Sequence, residues 1–397
     1  MLRYMSGEKC MRIGVPMKSF NPSWGGPGTY TVELVNRMIR STPSHEYVLV
    51  YPAEVSSRID RAPGERLDNL REIGTDVRSG PWWDQVTLPR ICMRENIDVM
   101  FSPFMSIPVL GGFKKVFTIH GAERYVVPDM LPFWQGLKWT FMEKVLVPLA
   151  DRLIVVSETM GKDLCKAIHC QPDKLRATYL GVAKDFRVIS EREELEATRK
   201  KHGIPEQFLL FVGRIFPNKN FGNLVRGLAS CRDSIPHKLV VVGGTRWKFE
   251  EDFKLLRELG IEDRVIFLDF ISREDLIRLY NLASCLVYPS FYESFGLVQL
   301  EAMACGCPVV AARSGALPEI AGDAALFCDP HDPRDIARAI VELVNDSAKR
   351  AAQAEKALAR SQAFTWDRCA AETLRILAEV TDDPRALRAG GLGAARH

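Results

Sequence analysis

Two glutamates eight positions apart, in the run Glu293-Ser-Phe-Gly-Leu-Val-Gln-Leu-Glu301, have the types and spacing that could do chemistry. Eight residues is a little over two helical turns, so side chains beyond the start of the run return to one face. The glycine lets the backbone of Ser294, Phe295, Gly296, Leu297 and Val298 approach a ligand before a helix begins, and the first N–H groups of that helix face outward to an anion. The pattern suits a sugar nucleotide, with one carboxylate for sugar hydroxyls, amides for phosphate and the other carboxylate for ribose. The competing reading is two surface glutamates on an amphipathic helix, since Glu is a good helix former.

The flanking sequence narrows the choice. Ser284-Cys-Leu-Val-Tyr-Pro-Ser290 predicts a buried strand ending in a loop, and Pro308-Val-Val-Ala-Ala312 predicts the next strand. The acidic run therefore opens the helix of a βαβ unit at the carboxyl end of a strand, where open α/β sheets bind ligands. The stretch from Tyr288 to Val310, followed by Gly315-Ala-Leu-Pro-Glu-Ile-Ala-Gly-Asp-Ala-Ala325, closely resembles the signature of the retaining glycosyltransferases of family 4. Ser294 stands where a glycine is common in that family. The resemblance covers most of residues 11–380 and implies an α/β GT-B fold: two Rossmann-like domains facing across a cleft, with a C-terminal helix crossing back to the N-terminal domain.

Composition is consistent with this. A chain of 397 residues suits two domains, and 47% hydrophobic with 26% charged residues is the balance of a soluble globular protein. A net charge of only +3 gives no reason to expect a nucleic-acid partner. No spanning helix and no secretory leader is legible, so a cytoplasmic location is expected. The ten cysteines form no Cys-x-x-Cys pair and read as structural thiols, with no metal site and no cofactor. There is no Asp-x-Asp triplet to hold a divalent cation on a diphosphate, so its charge must be neutralised by side chains.

Strand-like runs alternate with helical patterns in both halves. The expected division is an acceptor-side domain over 1–187, a nucleotide-sugar domain over 188–365, a returning helix over 366–381 and a disordered tail over 382–397. The charge-rich stretch Ser190–Lys201 reads as part of the joint. Residues 132–147 carry Trp134, Trp139 and several apolar residues with Lys138 and Lys144. Core packing of an amphipathic helix is the first reading there, and a membrane-facing edge that recruits a lipid-linked acceptor is the second. Trp82-Trp83 reads as a pair of core anchors.

Four further segments bear on a site. Gly25, Gly26 and Gly28 lie between the first strand and first helix, where backbone N–H groups can approach a phosphate or acceptor; a plain Gly/Pro turn is the alternative. His120 follows the strand Lys115–Ile119, and the family resemblance places it near the donor sugar. Arg214 and Lys219, in Gly213-Arg-Ile-Phe-Pro-Asn-Lys-Asn220, put two cations on a loop before a helix, suited to a departing diphosphate. Gly243 permits close approach, and the resemblance implies that the backbone at Ile271 holds the nucleotide base.

The expected function is retaining, metal-independent transfer of a hexose from a nucleoside diphosphate sugar to a hydroxyl of a glycan or lipid-linked acceptor. His120, Arg214, Lys219 and Glu293 are the expected catalytic residues. Mannose from GDP-mannose is favoured by the overall tone of the family resemblance. The alternatives are a GT-B-type sugar-nucleotide epimerase and a non-catalytic nucleotide-sugar-binding subunit. The former needs an acid/base pair for which no further cleft carboxylate is apparent in the sequence.

Overall fold

The computed structural model describes residues 10–18, 25–55, 59, 61–62, 65–127, 133–168, 170–244 and 249–382. The chain forms two compact units. One comprises the residues up to His120, Leu137–Gly181 and Trp366 onward, and the other comprises Gly121–Gly136 and Val182–Thr365.

The first unit holds seven strands, β1 (Arg12–Pro16), β2 (Glu46–Tyr51), β3 (Leu70–Gly74), β4 (Val99–Ser102), β5 (Lys114–Ile119), β6 (Arg152–Val155) and β7 (Leu175–Ala177). They form one parallel sheet in the order β3-β2-β1-β4-β5-β6-β7. The second unit holds β8 (Phe208–Val212), β9 (Lys238–Val242), β10 (Val265–Leu268), β11 (Cys285–Tyr288), β12 (Val309–Ala312) and β13 (Leu326–Cys328), parallel in the order β10-β9-β8-β11-β12-β13. In each sheet the order reverses beside the first strand, between β1 and β4 and between β8 and β11. Loops leaving those strands diverge there and open a crevice at their carboxyl ends.

Parallel strands buried on both faces read as apolar runs, and residue alternation divides them between two cores. Phe208, Leu210 and Val212 join the cluster on one face of the second sheet, while Leu209 and Phe211 join the cluster on the other. The last helix, Trp366–Asp382, belongs to the first unit. It buries Trp366, Cys369, Ala370, Thr373, Leu377 and Val380 along one stripe and packs on the helix Gly26–Ser41. Trp366 meets Tyr30 edge-on at 6.1 Å, and Arg37 pairs with Asp367 at 3.1 Å. The expected tail beyond Asp382 lies outside the described residues.

The structure differs from the sequence reading in several places. Residues 121–136 group with the second unit, although the expected first domain runs to 187. The reason is local: Ala122 and Glu123 hydrogen-bond Ser294. The stretch read as a polar joint contains the helix Arg192–Lys201, because Glu, Lys and Arg are good helix formers. It is tied to the helix Arg273–Leu282 by Lys201–Asp275 at 2.7 Å and Arg278–Glu194 at 3.3 Å. Trp83 is the core anchor expected, its Nε1 donating to Thr75 Oγ1 at 3.0 Å, but Trp82 is exposed. The helix Phe133–Leu149 buries Leu146 and Val147, yet leaves Trp134, Leu137, Phe141, Val145 and Leu149 exposed, so core packing explains only one side of it. All ten cysteines are free thiols, seven of them buried.

Candidate functional site

The site in the second unit forms where β8 and β11 part. The loop after β8 carries Gly213, Arg214 and Lys219; the loop after β11 carries Glu293. Gly213 and Gly243 have φ of 135° and 129°, and a Cβ at Gly243 would come within 2.6 Å of the Gly213 carbonyl oxygen. Glycine at 243 is thus required for the ends of β8 and β9 to approach so closely. Asn220, at φ 59°, begins the helix Phe221–Ser230 and donates its side-chain amide to the carbonyls of Pro289 and Pro330. The Phe291 N–H in turn donates to the Asn218 carbonyl at 2.8 Å. These bonds fasten the cationic loop to the acidic one.

That fastening brings Lys219 Nζ to 2.6 Å from Glu293 Oε1 and 2.7 Å from the Tyr288 hydroxyl. Burial alone would lower the Lys219 pKa, but Glu293 and Tyr288 outweigh it and hold the ammonium well above its ordinary value. Burial first, and then Glu293, pushes the Tyr288 phenol up, so it stays protonated. An ammonium has three N–H donors, and these contacts occupy two. Arg214 lies with its guanidinium 5.6 Å from the Phe270 ring centroid and has no carboxylate partner among the described residues. A cation without an internal counter-charge is available to an anionic ligand.

The main chain of Glu293 is also gripped. The Ala316 N–H donates to its carbonyl at 2.9 Å, and Gly315, at φ 53°, lies so close that a Cβ would meet that oxygen at 2.5 Å. Gly296, at φ 93°, turns the chain into the helix Leu297–Ala304. Glu301, one turn into that helix, is separate from the lysine pair. Its carboxylate accepts from the Tyr280 hydroxyl at 3.3 Å. Burial raises its pKa to about 7, the nearby Arg273 and the Tyr280 bond offset part of this, and Asp185 adds to it.

Gly243 follows β9, and Ile271 follows β10 with its side chain half-buried. Gly26, Gly28 and His120 belong to the first unit. Gly25, at φ 76°, precedes the helix Gly26–Ser41, whose first turn contains Gly26, Pro27 and Gly28. Among the described residues nothing lies within 4 Å of a Cβ built at Gly25 or Gly26. His120 Nε2 lies 2.6 Å from the Pro103 carbonyl, and its ring sits edge-on to Tyr30 at 4.7 Å. Burial lowers its pKa to about 4, partly offset by the Pro103 bond, so the ring is neutral near pH 7. A carbonyl can only accept, so Nε2 carries the proton and Nδ1 presents a lone pair.

The sequence reading assigned no role to Tyr288, Asn218, Asn220 or Glu123. Glu123 is a further carboxylate close to the motif, its pKa raised by burial and then by the charge of Glu293. Its position three residues past a strand-end histidine was the available signal. No group of three His, Cys, Asp or Glu side chains placed to hold a metal ion exists among the described residues.

With this geometry in place, comparison with known proteins gives the class. Residues 194–360 match the family Glycosyl transferases group 1, and residues 24–186 match Glycosyltransferase Family 4. O-antigen chain mannosyltransferase B of Escherichia coli is 30% identical over 270 residues, covering 66% of this chain and 69% of that protein. D-inositol 3-phosphate glycosyltransferase of Stackebrandtia nassauensis is 36% identical over 249 residues, covering 58% of this chain and only 55% of that one. The structure of Anabaena HepE in complex with UDP and glucose superposes with a TM-score of 0.71, covering 93% of this chain and 100% of that one, at 19% identity. The fold is GT-B, and the chain belongs to the group 1 glycosyltransferases of family 4.

Proposed function

We propose that this glycosyltransferase moves a hexose, with retention and without a metal ion, from a nucleoside diphosphate sugar to a hydroxyl of a glycan or lipid-linked acceptor. The observation that carries the reading is Lys219, held charged between Glu293 and Tyr288 beside an unpaired Arg214 at the strand-order reversal. The third Lys219 donor and the Arg214 fork offset the charge that grows on the leaving diphosphate. Amides at the start of the helix Leu297–Ala304 bind the ground-state phosphates. Glu293 accepts hydrogen bonds from the transferred sugar, Glu301 from the ribose, and neutral His120 from a sugar hydroxyl through Nδ1. In a retaining transfer the leaving phosphate can take the acceptor's proton, so none of these groups needs to be a strong base. GDP-mannose is the favoured donor, supported by the mannosyltransferase relative.

Incubation with GDP-mannose, UDP-glucose and related donors in the absence of acceptor tests this. Slow release of free sugar and nucleoside diphosphate, undiminished by EDTA, is expected. An altered but intact sugar nucleotide would mean epimerisation, and binding without turnover would mean a scaffold. Loss of activity in EDTA that Mg²⁺ restores would place the phosphate chemistry on a metal.

The location proposed is cytoplasmic, at the inner face of the membrane. Among the described residues no helix is long and apolar enough to cross a bilayer. The helix Phe133–Leu149 instead exposes Trp134 (76%) and Phe141 (67%) on one stripe with Leu137, Val145 and Leu149. Its only acid, Glu143, is buried, and Lys144 is exposed. An apolar stripe free of exposed negative charge suits an anionic lipid surface that presents a lipid-linked acceptor. Flotation with phosphatidylglycerol-containing vesicles should recover the wild type and far less of the Trp134→Ser/Phe141→Ser variant; equal recovery of both would remove this role.

A further inference from the structure

Glu123 opens a short helix, Glu123–Val126, in the second unit, three residues past His120. Its Oε1 accepts the Ser294 backbone N–H at 3.2 Å, and the amide of its neighbour Ala122 donates to Ser294 Oγ at 3.1 Å. Two consecutive residues therefore grip Ser294 by both its main chain and its side chain. Gly121 makes room for this arrangement, because a Cβ there would lie 2.1 Å from Glu123 Oε2. On the other side, Glu293 is held by Lys219, Ala316 and Gly315. Glu293 and Ser294, consecutive in the chain, are thus each held by a separate set of partners.

Holding a half-buried carboxyl beside another carboxylate is costly, and a site without use for it would be expected to carry an uncharged side chain. We propose that Glu123 is a positioning residue for sugar transfer, fixing through Ser294 the backbone that carries Glu293 and leads into the amides of Leu297–Ala304. This rests on the glycosyltransferase reading above. Glu293 and Lys219 face Glu123 from the two loops packed against it. On its own helix, Arg124 is engaged with the Tyr125 ring and hydroxyl. A hydrogen bond to an ionised acceptor is stronger than one to a neutral acceptor, so the grip on Ser294 is tightest when Glu123 is charged.

Wild type and two variants test this role. Glu123→Ala removes the acceptor and should lower kcat by about tenfold to a hundredfold, the scale on which small misplacements act, while the nucleoside diphosphate Kd changes less than about twofold. Glu123→Gln keeps an amide oxygen for the Ser294 N–H but cannot be charged. Its kcat should fall below wild type at alkaline pH, and the ratio of the two should approach one as pH drops through the raised pKa of Glu123. Residue-resolved amide exchange provides a readout independent of turnover. Ser294 should exchange faster in Glu123→Ala and keep most of its protection in Glu123→Gln, which also serves if the alanine variant folds poorly.

Active wild type with unchanged kcat in both variants, or a wild-type-to-Gln ratio that does not depend on pH, would overturn the positioning role. Unchanged Ser294 exchange in Glu123→Ala would overturn the grip itself. Wild type that turns over no sugar nucleotide would instead defeat the functional reading, and the exchange result would still decide whether Glu123 holds Ser294.

Discussion

Arg214→Ala should slow sugar transfer by about a hundredfold to a thousandfold, the loss typical when one pre-organised charge donor is removed from a developing oxyanion. Its folding stability should stay within about 0.5 kcal/mol of wild type, because Arg214 has no ion pair among the described residues to lose. Lys219→Ala behaves differently. Removing the ammonium leaves Glu293 mostly buried without its counter-charge, and breaking such a pair costs about 3 kcal/mol. Part of that loss should return in Lys219→Ala/Glu293→Gln, where the orphaned charge is gone, without any return of activity. Initial rates and chemical denaturation of the four proteins distinguish the two roles. Wild-type turnover in Arg214→Ala/Lys219→Ala would show that the diphosphate is neutralised elsewhere.

Glu293→Gln and Glu301→Gln should fail in opposite ways. Glu293 touches the lysine of the leaving-group site and is assigned to the transferred sugar, so its amide variant should lose about a hundredfold in kcat with little change in nucleoside diphosphate affinity. Glu301 is assigned to the ribose, so Glu301→Gln should weaken nucleotide binding. Because the Glu301 pKa stands near 7, ribose hydroxyls compete with a proton for the carboxylate. Wild-type affinity relative to Glu301→Gln should therefore fall below pH 7, by up to about tenfold per unit.

Stability supplies a second readout with a definite sign. An acid whose folded pKa lies above its ordinary 4.5 binds an extra proton in the folded state between 4.5 and 7. Wild type thus loses stability relative to Glu301→Gln as pH rises from about 4.5 to about 7, by up to about 3 kcal/mol in all, and the difference is constant above and below that window. Calorimetric titration alongside initial rates checks both assignments. If Glu293→Gln loses nucleotide affinity and Glu301→Gln does not, the two carboxylates have exchanged roles.

The strands were legible where burial on both faces leaves an apolar run, as in Phe208–Val212 and Lys238–Val242. β3, Leu-Arg-Glu-Ile-Gly, lies at a sheet edge and is half exposed, so its composition carries no such signal. The exposed stripe of Phe133–Leu149 was open to two readings, because periodicity shows that a face is apolar and cannot show what covers it.

The motif residues followed from the sequence for a comparable reason. Gly296 before Leu297, with Glu293 in the loop ahead of the helix and Glu301 one turn into it, are local relations that a helix start imposes within a few residues. The βαβ alternation and the parallel sheets are likewise set by short-range pattern. Tertiary structure alone decided which charges meet. Lys219 and Glu293 are brought together because β8 and β11 are neighbours at the strand-order reversal, and the side-chain amide of Asn220 ties one loop to the other. The same holds for Glu123, which reaches Ser294 across a separation of 171 positions. The pKa values of His120 and Glu301 depend on burial by residues distant in sequence, and no composition or spacing encodes that desolvation.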